Sequence, residues 1–301
     1  MLQLKNSKIA VPVVLFAGLI WSFGPLVVRY MNDPHLIPWQ YIFGRGLTIF
    51  ILLNLYLYFE EGKNFYKNYF KIGLSGLIGG SGLGIAMICF MFSITNTSAA
   101  ITLLCLAAMP FFTALLAFLF LKEKISLNVW ISIIIASIGI GIMAVGTNTD
   151  TSFIGFVFGI TSSVGFSVFS VTLRWRKETP KFTTTAFAGF FCFTFATIVI
   201  LSNDYVFFST SYNSSLFSLH GTLVCLGLIL YSIGSKVIPA AELTLLSLTE
   251  VIGGIFWVWL PLFGINEVPD TNTIIGGFFL FISLTYYSLV MRWNKRYIGL
   301  N

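Results

Sequence analysis

Long apolar runs separated by short polar segments make up most of this chain of 301 residues. A hydrocarbon core about 30 Å thick requires about 20 apolar residues per helix. Each run must be a helix, because lipid offers the backbone no hydrogen-bonding partner, and the runs lack the alternation of barrel strands. We therefore predict an all-α polytopic membrane protein with ten spans. They are Ile9–Arg29, Trp39–Tyr58, Ile72–Phe92, Ala99–Leu121, Val129–Val145, Phe153–Leu173, Thr183–Leu201, Leu216–Val237, Ala240–Leu262 and Thr273–Met291.

The distribution of positive charge predicts the orientation of these spans. Hydrophobic residues make up 57% and charged residues 9% of the chain, against roughly 45–50% and 25% in soluble proteins. Fifteen of the seventeen Lys and Arg residues fall on one side of the ten-span arrangement. These are Lys5, Lys8, Lys63, Lys67, Lys71, Lys122, Lys124, Arg174, Arg176, Lys177, Lys181, Lys236, Arg292, Lys295 and Arg296. Positive loops are cytoplasmic, so we expect both termini in the cytoplasm and a cell-membrane location, the inner membrane of a bacterium. The net charge of +6 then requires no nucleic-acid partner.

Neither a metal site nor a cofactor site is predicted. His35 and His220 are isolated near the outer side, and neither has a second ligand at metal spacing. The cysteines lie within spans and lack metal-type or redox-type pairing. They are Cys89, Cys105, Cys192 and Cys225. No Walker-type run is present in the sequence, so transport driven by ATP is not expected.

The chain also resembles itself. When its second half is aligned with its first, residues 99–106 fall on residues 241–248, and five of the eight pairs are identical. An alignment shifted by one position from this one pairs Gly18 with Gly159 in the first and sixth spans. Beyond the fourth and ninth spans, Glu123 aligns with Glu267 when two residues are inserted. The repeating unit is therefore five helices long.

A unit with an odd number of spans places its second copy upside down in the membrane. Inverted repeats are typical of secondary transporters, whose substrate sites lie near the midplane between the halves. We predict one repeat at residues 9–145 and a second, inverted repeat at residues 153–291. The linker between them, residues 146–151, is short and polar.

Several residues of this pattern resemble the drug/metabolite transporter superfamily, in its ten-helix form with two EamA-type halves. They are Trp21-Ser22-Phe23-Gly24, Arg45, Thr97-Ser98-Ala99-Ala100, Pro110, Glu123, Pro239-Ala240-Ala241 and Glu250. The resemblance implies secondary transport of small organic metabolites, of which amino acids and related compounds are common cargo. It also implies a proline after the acidic residue of the ninth span, whereas Val251 follows Glu250 here. The family's reason for a bend at that point is therefore missing.

Glu250 is the foremost candidate for a functional residue. It lies about ten residues into the ninth span, or roughly 15 Å along the helix, near the centre of the bilayer. An ionisable group there costs at least about 2.5 kcal/mol and usually faces a cavity or a partner. Three roles are open to Glu250: binding a proton, neutralising a cationic group, or hydrogen-bonding a neutral substrate. The alternative is a structural role as the partner of Arg45 or of backbone groups.

Two polar stripes predict the walls of a substrate path. Thr244 and Ser247 share a helical face with Glu250 in the ninth span. In the alignment that places residues 241–248 on residues 99–106, their positions become Thr102 and Cys105 of the fourth span. Our hypothesis is that these two faces oppose each other across the path.

Three further residues are candidates near this path. Arg45 is either a clamp for a carboxylate or phosphate or, as we favour, a pin between helices or a snorkelling side chain. Trp21 is a candidate for the cavity lining, with plain packing as the alternative, and the adjacent Gly24-Pro25 pair allows a bend. Tyr231 completes the candidate substrate-binding set.

The sequence therefore favours a secondary transporter rather than an enzyme. It would move a small organic metabolite by alternating access, with the proton as a candidate coupling ion. The alternatives are an integral-membrane enzyme, which needs a polar cluster at one membrane face, and a channel-like protein. The expected partners are a small-molecule substrate, protons and the lipid bilayer, while the oligomeric state is left open.

Overall fold

The computed structural model of the protein describes residues 7–123, 125–146, 153–176, 178–269 and 271–297. Within these ranges all regular structure is helical. The α-helices are α1 (Ser7–Trp21), α2 (Gly24–Arg29), α3 (Pro38–Glu61), α4 (Gly73–Asn96), α5 (Ala99–Ala107), α6 (Met109–Leu116), α7 (Leu127–Gly146), α8 (Phe153–Trp175), α9 (Lys181–Ser202), α10 (Ser211–Gly234), α11 (Ala240–Leu246), α12 (Thr249–Trp259) and α13 (Thr271–Tyr297). Three 3-10 helices (Pro34–Leu36, Gly62–Lys71 and Pro261–Phe263) and a π-helical turn (Ala117–Leu121) complete the set.

Eight helical segments of the described chain are long and apolar enough to cross a membrane. They are Ile9–Arg29, Pro38–Lys71, Gly73–Asn96, Ala99–Leu121, Phe153–Trp175, Lys181–Ser202, Ser211–Gly234 and Ala240–Trp259. The predicted fifth and tenth spans coincide with shorter apolar helices at Leu127–Ile142 and Ile274–Tyr287. The all-helical membrane architecture is thus confirmed, while the count of ten spans stays a prediction. The predicted linker beyond Gly146 lies outside the described residues, as do Lys5, Lys124 and Lys177.

Three of the spans are interrupted part-way along their length. In the first, α1 ends at Trp21 and α2 begins with Gly24-Pro25. In the fourth, α5 ends at Ala107 and Pro110 is the second residue of α6. Proline lacks an amide hydrogen and crowds the preceding turn, which accounts for both interruptions.

The ninth span is interrupted without a proline. Helix α11 ends at Leu246 and α12 begins at Thr249. The Ser247 hydroxyl donates to the Thr244 carbonyl at 2.7 Å, and the Thr249 hydroxyl donates to the Leu246 carbonyl at 3.2 Å. Hydroxyls that bond to nearby carbonyls compete with the helical ladder. The break therefore occurs although Val251 stands where the family pattern has proline.

The helices pack in a recurring scheme. Helix α4 packs against α8 and α9, while α10 packs against α1 and α3. Helices α5 and α6 contact α8, and α11 and α12 contact α1. Helix α3 packs on α9, and α7 packs mainly on α13. The interrupted fourth and ninth spans also touch each other, through α5–α12 and α6–α11, so they connect the two halves of the chain.

Small residues allow the closest of these contacts. Three glycines of α4, one on each successive turn, lie against α9: Gly76, Gly80 and Gly84, next to Thr184, Phe187 and Phe191. On another face of α4, the backbone of Gly82 meets that of Gly165 in α8, where an added Cβ would lie 2.6 Å from the Gly82 carbonyl oxygen. These positions are packing seams, because small residues let membrane helices approach closely.

Candidate functional site

A cavity of about 70 Å³ lies where the three interrupted spans meet. Trp21 is the last residue of α1, Met109 is the first residue of α6, and Glu250 is the second residue of α12. All three line the cavity. Irregular backbone at membrane depth is tolerated where it lines a cavity, and interrupted helices build the substrate sites of many transporters.

The carboxylate of Glu250 faces this cavity and has no partner among the described residues. Within the described part of the chain it forms no hydrogen bond and no ion pair. Its place in the first turn of α12 puts the negative charge near the positive end of the helix dipole. The structural role considered from sequence, pairing with Arg45 or with backbone groups, is not seen among the described residues. The carboxylate oxygens are available to whatever enters the cavity.

Arg45 lines the same cavity but is held by the protein. It is 3% exposed, and one Nη donates to the Met87 carbonyl at 2.6 Å while the other donates to the Tyr41 hydroxyl at 3.2 Å. Its guanidinium also lies over the rings of Tyr41 and Phe90, at 5.1 and 5.8 Å from their centroids. Arg45 of α3 thus contacts α4 through the Met87 carbonyl and the Phe90 ring, and its role as a pin between helices stays a prediction. A guanidinium has five N–H donors, so some remain for a ligand.

His220 is a cavity residue that sequence reasoning placed incorrectly. It is buried, lines the cavity, and its Nδ1 is hydrogen-bonded to the Tyr41 hydroxyl. Its Nε2 lies so close to Gly24 that a Cβ there would approach within 2.7 Å. Helix α10 begins at Ser211, whereas the predicted span began at Leu216. His220 is therefore well inside the span, neither isolated nor near its end. A polar residue at that depth was the available signal.

Trp21 and Tyr231 form two layers of one wall. The Trp21 indole N–H donates to the Val224 carbonyl at 3.2 Å, and its ring meets Phe166 edge-on at 5.7 Å between centroids. Tyr231 lies behind it at 5.5 Å, and its hydroxyl is 2.6 Å from the Ser170 hydroxyl oxygen. Trp21 lines the cavity, whereas Tyr231 lies outside this lining and supports Trp21.

The ninth-span stripe residues Thr244 and Ser247 are not part of the cavity lining. Thr244 and Ser247 are fully buried and donate to carbonyls of their own helix. The stripe was drawn on one continuous helix, and the interruption at Ser247–Leu248 changes the helical phase between these residues and Glu250.

The fourth-span stripe is likewise packed away from the cavity. Thr102 bonds to the hydroxyls of Ser93 and Thr97 at 3.0 and 2.9 Å. Cys105 packs against Gly159 of α8. The fourth span instead contributes Leu106 and Met109 to the lining. The two predicted stripes therefore do not form the opposing walls of this cavity.

The chain is similar to known proteins in sequence. The EamA-like transporter family matches residues 8–145. Just under half of the chain is therefore similar to this family. Two relatives, both named "uncharacterized transporter", come from Helicobacter pylori strains J99 / ATCC 700824 and ATCC 700392 / 26695. Each is 27% identical over 171 residues, and the match spans 56% of this chain and 56% of the relative. The resemblance drawn from the sequence, to an EamA-type member of the drug/metabolite transporter superfamily, is confirmed.

A solved crystal structure of another protein matches nearly the whole chain. The match covers 95% of this chain and 99% of the other, with a TM-score of 0.75 and 14% sequence identity. At that identity the likeness establishes the shared fold alone. It extends the structural similarity well beyond residue 145, where the family match ends.

Proposed function

We propose that this protein is a secondary active transporter that moves a small organic metabolite across the cell membrane by alternating access. The observation that carries the proposal is the Glu250 carboxylate, unpaired within the described part of the chain, in a cavity built by three interrupted spans. A buried ionisable group without a partner is costly in a membrane and is a functional site by default. A purely structural bundle has no use for it.

The cavity's chemistry favours an amino acid or a related zwitterion. Arg45 retains N–H donors that suit a carboxylate, and Glu250 offers acceptors that suit an ammonium group. The rest of the wall is largely apolar and includes the rings of Trp21, Phe90 and Phe166. A volume of about 70 Å³ suits a small substrate and requires the site to widen on binding.

The packing scheme supports two inverted repeats, residues 9–145 and 153–291, with α7 and α13 as the fifth and tenth spans. When the first five predicted spans are exchanged with the second five, the contacts map onto one another. The pair α4–α8 becomes α10–α1, and α4–α9 becomes α10–α3. The contacts of α5 and α6 with α8 become those of α11 and α12, respectively, with α1. Such symmetry is the basis of alternating access in transporters built from inverted repeats.

Glu250 also makes the proton the candidate coupling ion. A carboxylate that is alternately exposed to the two sides can carry a proton in one direction per cycle, as acidic side chains do in other transporters. A direct ligand for a substrate ammonium group is the competing role of the same residue. Removing the negative charge of Glu250 distinguishes the two roles. A proton carrier would lose coupling but still bind substrate, whereas an ammonium ligand would lose substrate binding itself.

Substitution Glu250→Gln tests the proposal in proteoliposomes. Ligands are first found by thermal shift of the purified protein with an amino-acid library, and their uptake is then measured with and without a pH gradient. We expect saturable uptake of chemically unchanged substrate by the wild type. If Glu250 carries the proton, Glu250→Gln keeps exchange but loses stimulation by the gradient. If Glu250 binds the ammonium group, the affinity for the substrate falls by roughly tenfold or more, as when a charge-assisted hydrogen bond is lost. Both the thermal shift and the uptake at a given substrate concentration then decrease.

The matched control is Glu178→Gln, which removes an exposed carboxylate and should leave uptake unchanged. Normal uptake and normal gradient dependence in Glu250→Gln would contradict the proposal. Non-saturating flux would favour the channel-like alternative, and a chemically altered substrate would favour the enzyme.

A further inference from the structure

Two ion pairs join the two halves of the sequence. The Nε of Arg29, the last residue of α2, donates to Glu267 at 2.9 Å. The Nε of Arg174, near the end of α8, donates to Glu123 at 2.7 Å. In each pair one partner precedes residue 146 and the other follows residue 153. Each pair therefore links the two proposed repeats.

These pairs lie at opposite ends of the bundle. Glu267 also accepts a hydrogen bond from the backbone N–H of Ala99, the first residue of α5, at 2.9 Å. Glu123 lies just beyond the other end of the same span, Ala99–Leu121. That segment has 23 residues, so it is about 35 Å long at 1.5 Å per residue. The cavity lies between the two pairs, at the interruption of this span.

The hydrogen bonds around the two arginines repeat as well. The Nη groups of Arg29 donate to the carbonyls of Ile94 and Thr97, at 3.1 and 3.2 Å. One Nη of Arg174 donates to the carbonyls of Ser235 and Ile238, at 3.3 and 2.8 Å. The alignment that pairs Gly18 with Gly159 also pairs these acceptors, 94 with 235 and 97 with 238. Each arginine is thus fixed to its own half and reaches a carboxylate of the other half.

We propose that Arg29–Glu267 and Arg174–Glu123 are the two gates of the transport path, one at each membrane end. The proposal rests on the proposed function, because a gate has meaning only for a carrier. When one gate opens, its carboxylate leaves while its arginine stays bonded to two carbonyls of its own half. The cavity is then accessible from that end alone. With both pairs formed, the structure is the occluded state.

The exposure of these side chains suits a gate. The side chains of Arg29 and Glu267 are 22% and 28% exposed, and those of Arg174 and Glu123 are 25% and 23% exposed. Water can therefore reach the charges when the pair separates, which avoids the large penalty for an unpaired buried charge. Ion pairs at such exposure are weak. Weak pairs keep the two open states close in free energy, as repeated switching requires.

Sided thiol labelling tests the gates without any substrate. Met109→Cys places a reporter in the cavity, and the parent chain serves as blank because its cysteines Cys89, Cys105, Cys192 and Cys225 are buried. A membrane-impermeant maleimide is added to right-side-out and to inside-out vesicles. We expect Glu267→Gln to speed labelling about fivefold from the Arg29 end, and Glu123→Gln to speed it about fivefold from the Arg174 end, as the loss of a partly exposed ion pair allows.

Conservative and remote variants control for general loosening. Glu267→Asp and Glu123→Asp keep the charge and should label like the parent with its reporter. Asp204→Asn removes an exposed carboxylate at the Arg29 end, and Glu178→Gln removes one at the Arg174 end. Neither carboxylate forms an ion pair among the described residues. These variants should also leave labelling unchanged.

The outcomes separate this proposal from the proposed function. Labelling that rises equally from both ends, or does not change in either Gln variant, overturns the gates even if uptake is normal. A labelling rate that rises from the Arg29 end only in Glu267→Gln, and from the Arg174 end only in Glu123→Gln, supports the gates. Failure of every amino-acid uptake assay alongside such sided increases would overturn the proposed cargo and leave the gates standing.

Discussion

Arg45 is a buried side chain that both connects helices and lines the cavity. Its two bonds reach different elements, the Met87 carbonyl of α4 and the Tyr41 hydroxyl of its own helix. The sequence identified Arg45 because a lone cation within an apolar run is conspicuous. It did not reveal the network to His220, because contacts between distant helices leave no local pattern.

The first residue-scale prediction is that Arg45→Lys destabilises the fold. An ammonium group lacks the planar fork that serves two acceptors at once, so one charge-assisted bond is lost at a buried site. The expected cost is about 1–3 kcal/mol, seen as a lower midpoint of thermal unfolding in detergent. Arg176→Lys, at an exposed position, is the control and should change stability by less than about 0.5 kcal/mol. Equal effects of the two substitutions would show that Arg45 is no pin.

Glu250 and the stripe residues mark the limit of sequence reasoning about the site. The depth of Glu250 in its span follows from counting, and its functional weight follows from the cost of burying charge. The stripe containing Thr244 and Ser247 assumed an unbroken helix. The hydroxyl of Ser247, one of the residues that suggested the stripe, bonds to the Thr244 carbonyl at the break and so helps to disrupt the helix on which the stripe was drawn.

At the scale of elements, the interrupted spans were only partly predictable. Gly24-Pro25 and Pro110 mark two of the breaks in the sequence. The third break has no proline, and hydroxyl residues are too common in spans to signal one. The cavity depends on all three breaks, so its position could be approximated from Glu250 and Trp21, but its lining could not.

The prediction at the scale of elements concerns the close contact between α4 and α8 at Gly82 and Gly165. A Cβ at Gly165 would lie 2.6 Å from the Gly82 carbonyl oxygen, and backbone atoms cannot move aside cheaply. Gly165→Ala should therefore force the helices apart at a cost of about 1–3 kcal/mol. Gly141→Ala is the matched control, because nothing lies within 4 Å of its added Cβ. Alanine favours a helix over glycine, so Gly141→Ala should be neutral or stabilising. A stable Gly165→Ala protein would mean that the seam is looser than described.

At the scale of the whole molecule, the charge count and the internal repeat lead to the same arrangement. Positive loops predict orientation without reference to symmetry, and the self-alignment of the two halves predicts symmetry without reference to charge. The reciprocal bonds of Arg29 and Arg174 fit both. The difference between ten spans and eight depends on α7 and α13, whose described apolar stretches, Leu127–Ile142 and Ile274–Tyr287, are shorter than those of the other spans.

Fusions of alkaline phosphatase and of a green fluorescent protein test this arrangement, because the phosphatase is active only outside the cytoplasm and the fluorophore matures inside it. Fusions at either terminus should fluoresce and lack phosphatase activity, but an eight-span chain without α7 and α13 gives the same result. A fusion after Asp204 separates the two. With ten spans, seven spans precede Asp204, so the phosphatase should be outside and active. With eight spans, six precede it, and the fusion should fluoresce instead. The second result, or termini on opposite sides, would remove the inverted five-helix repeats, because α7 must cross the membrane for the second half to run upside down relative to the first.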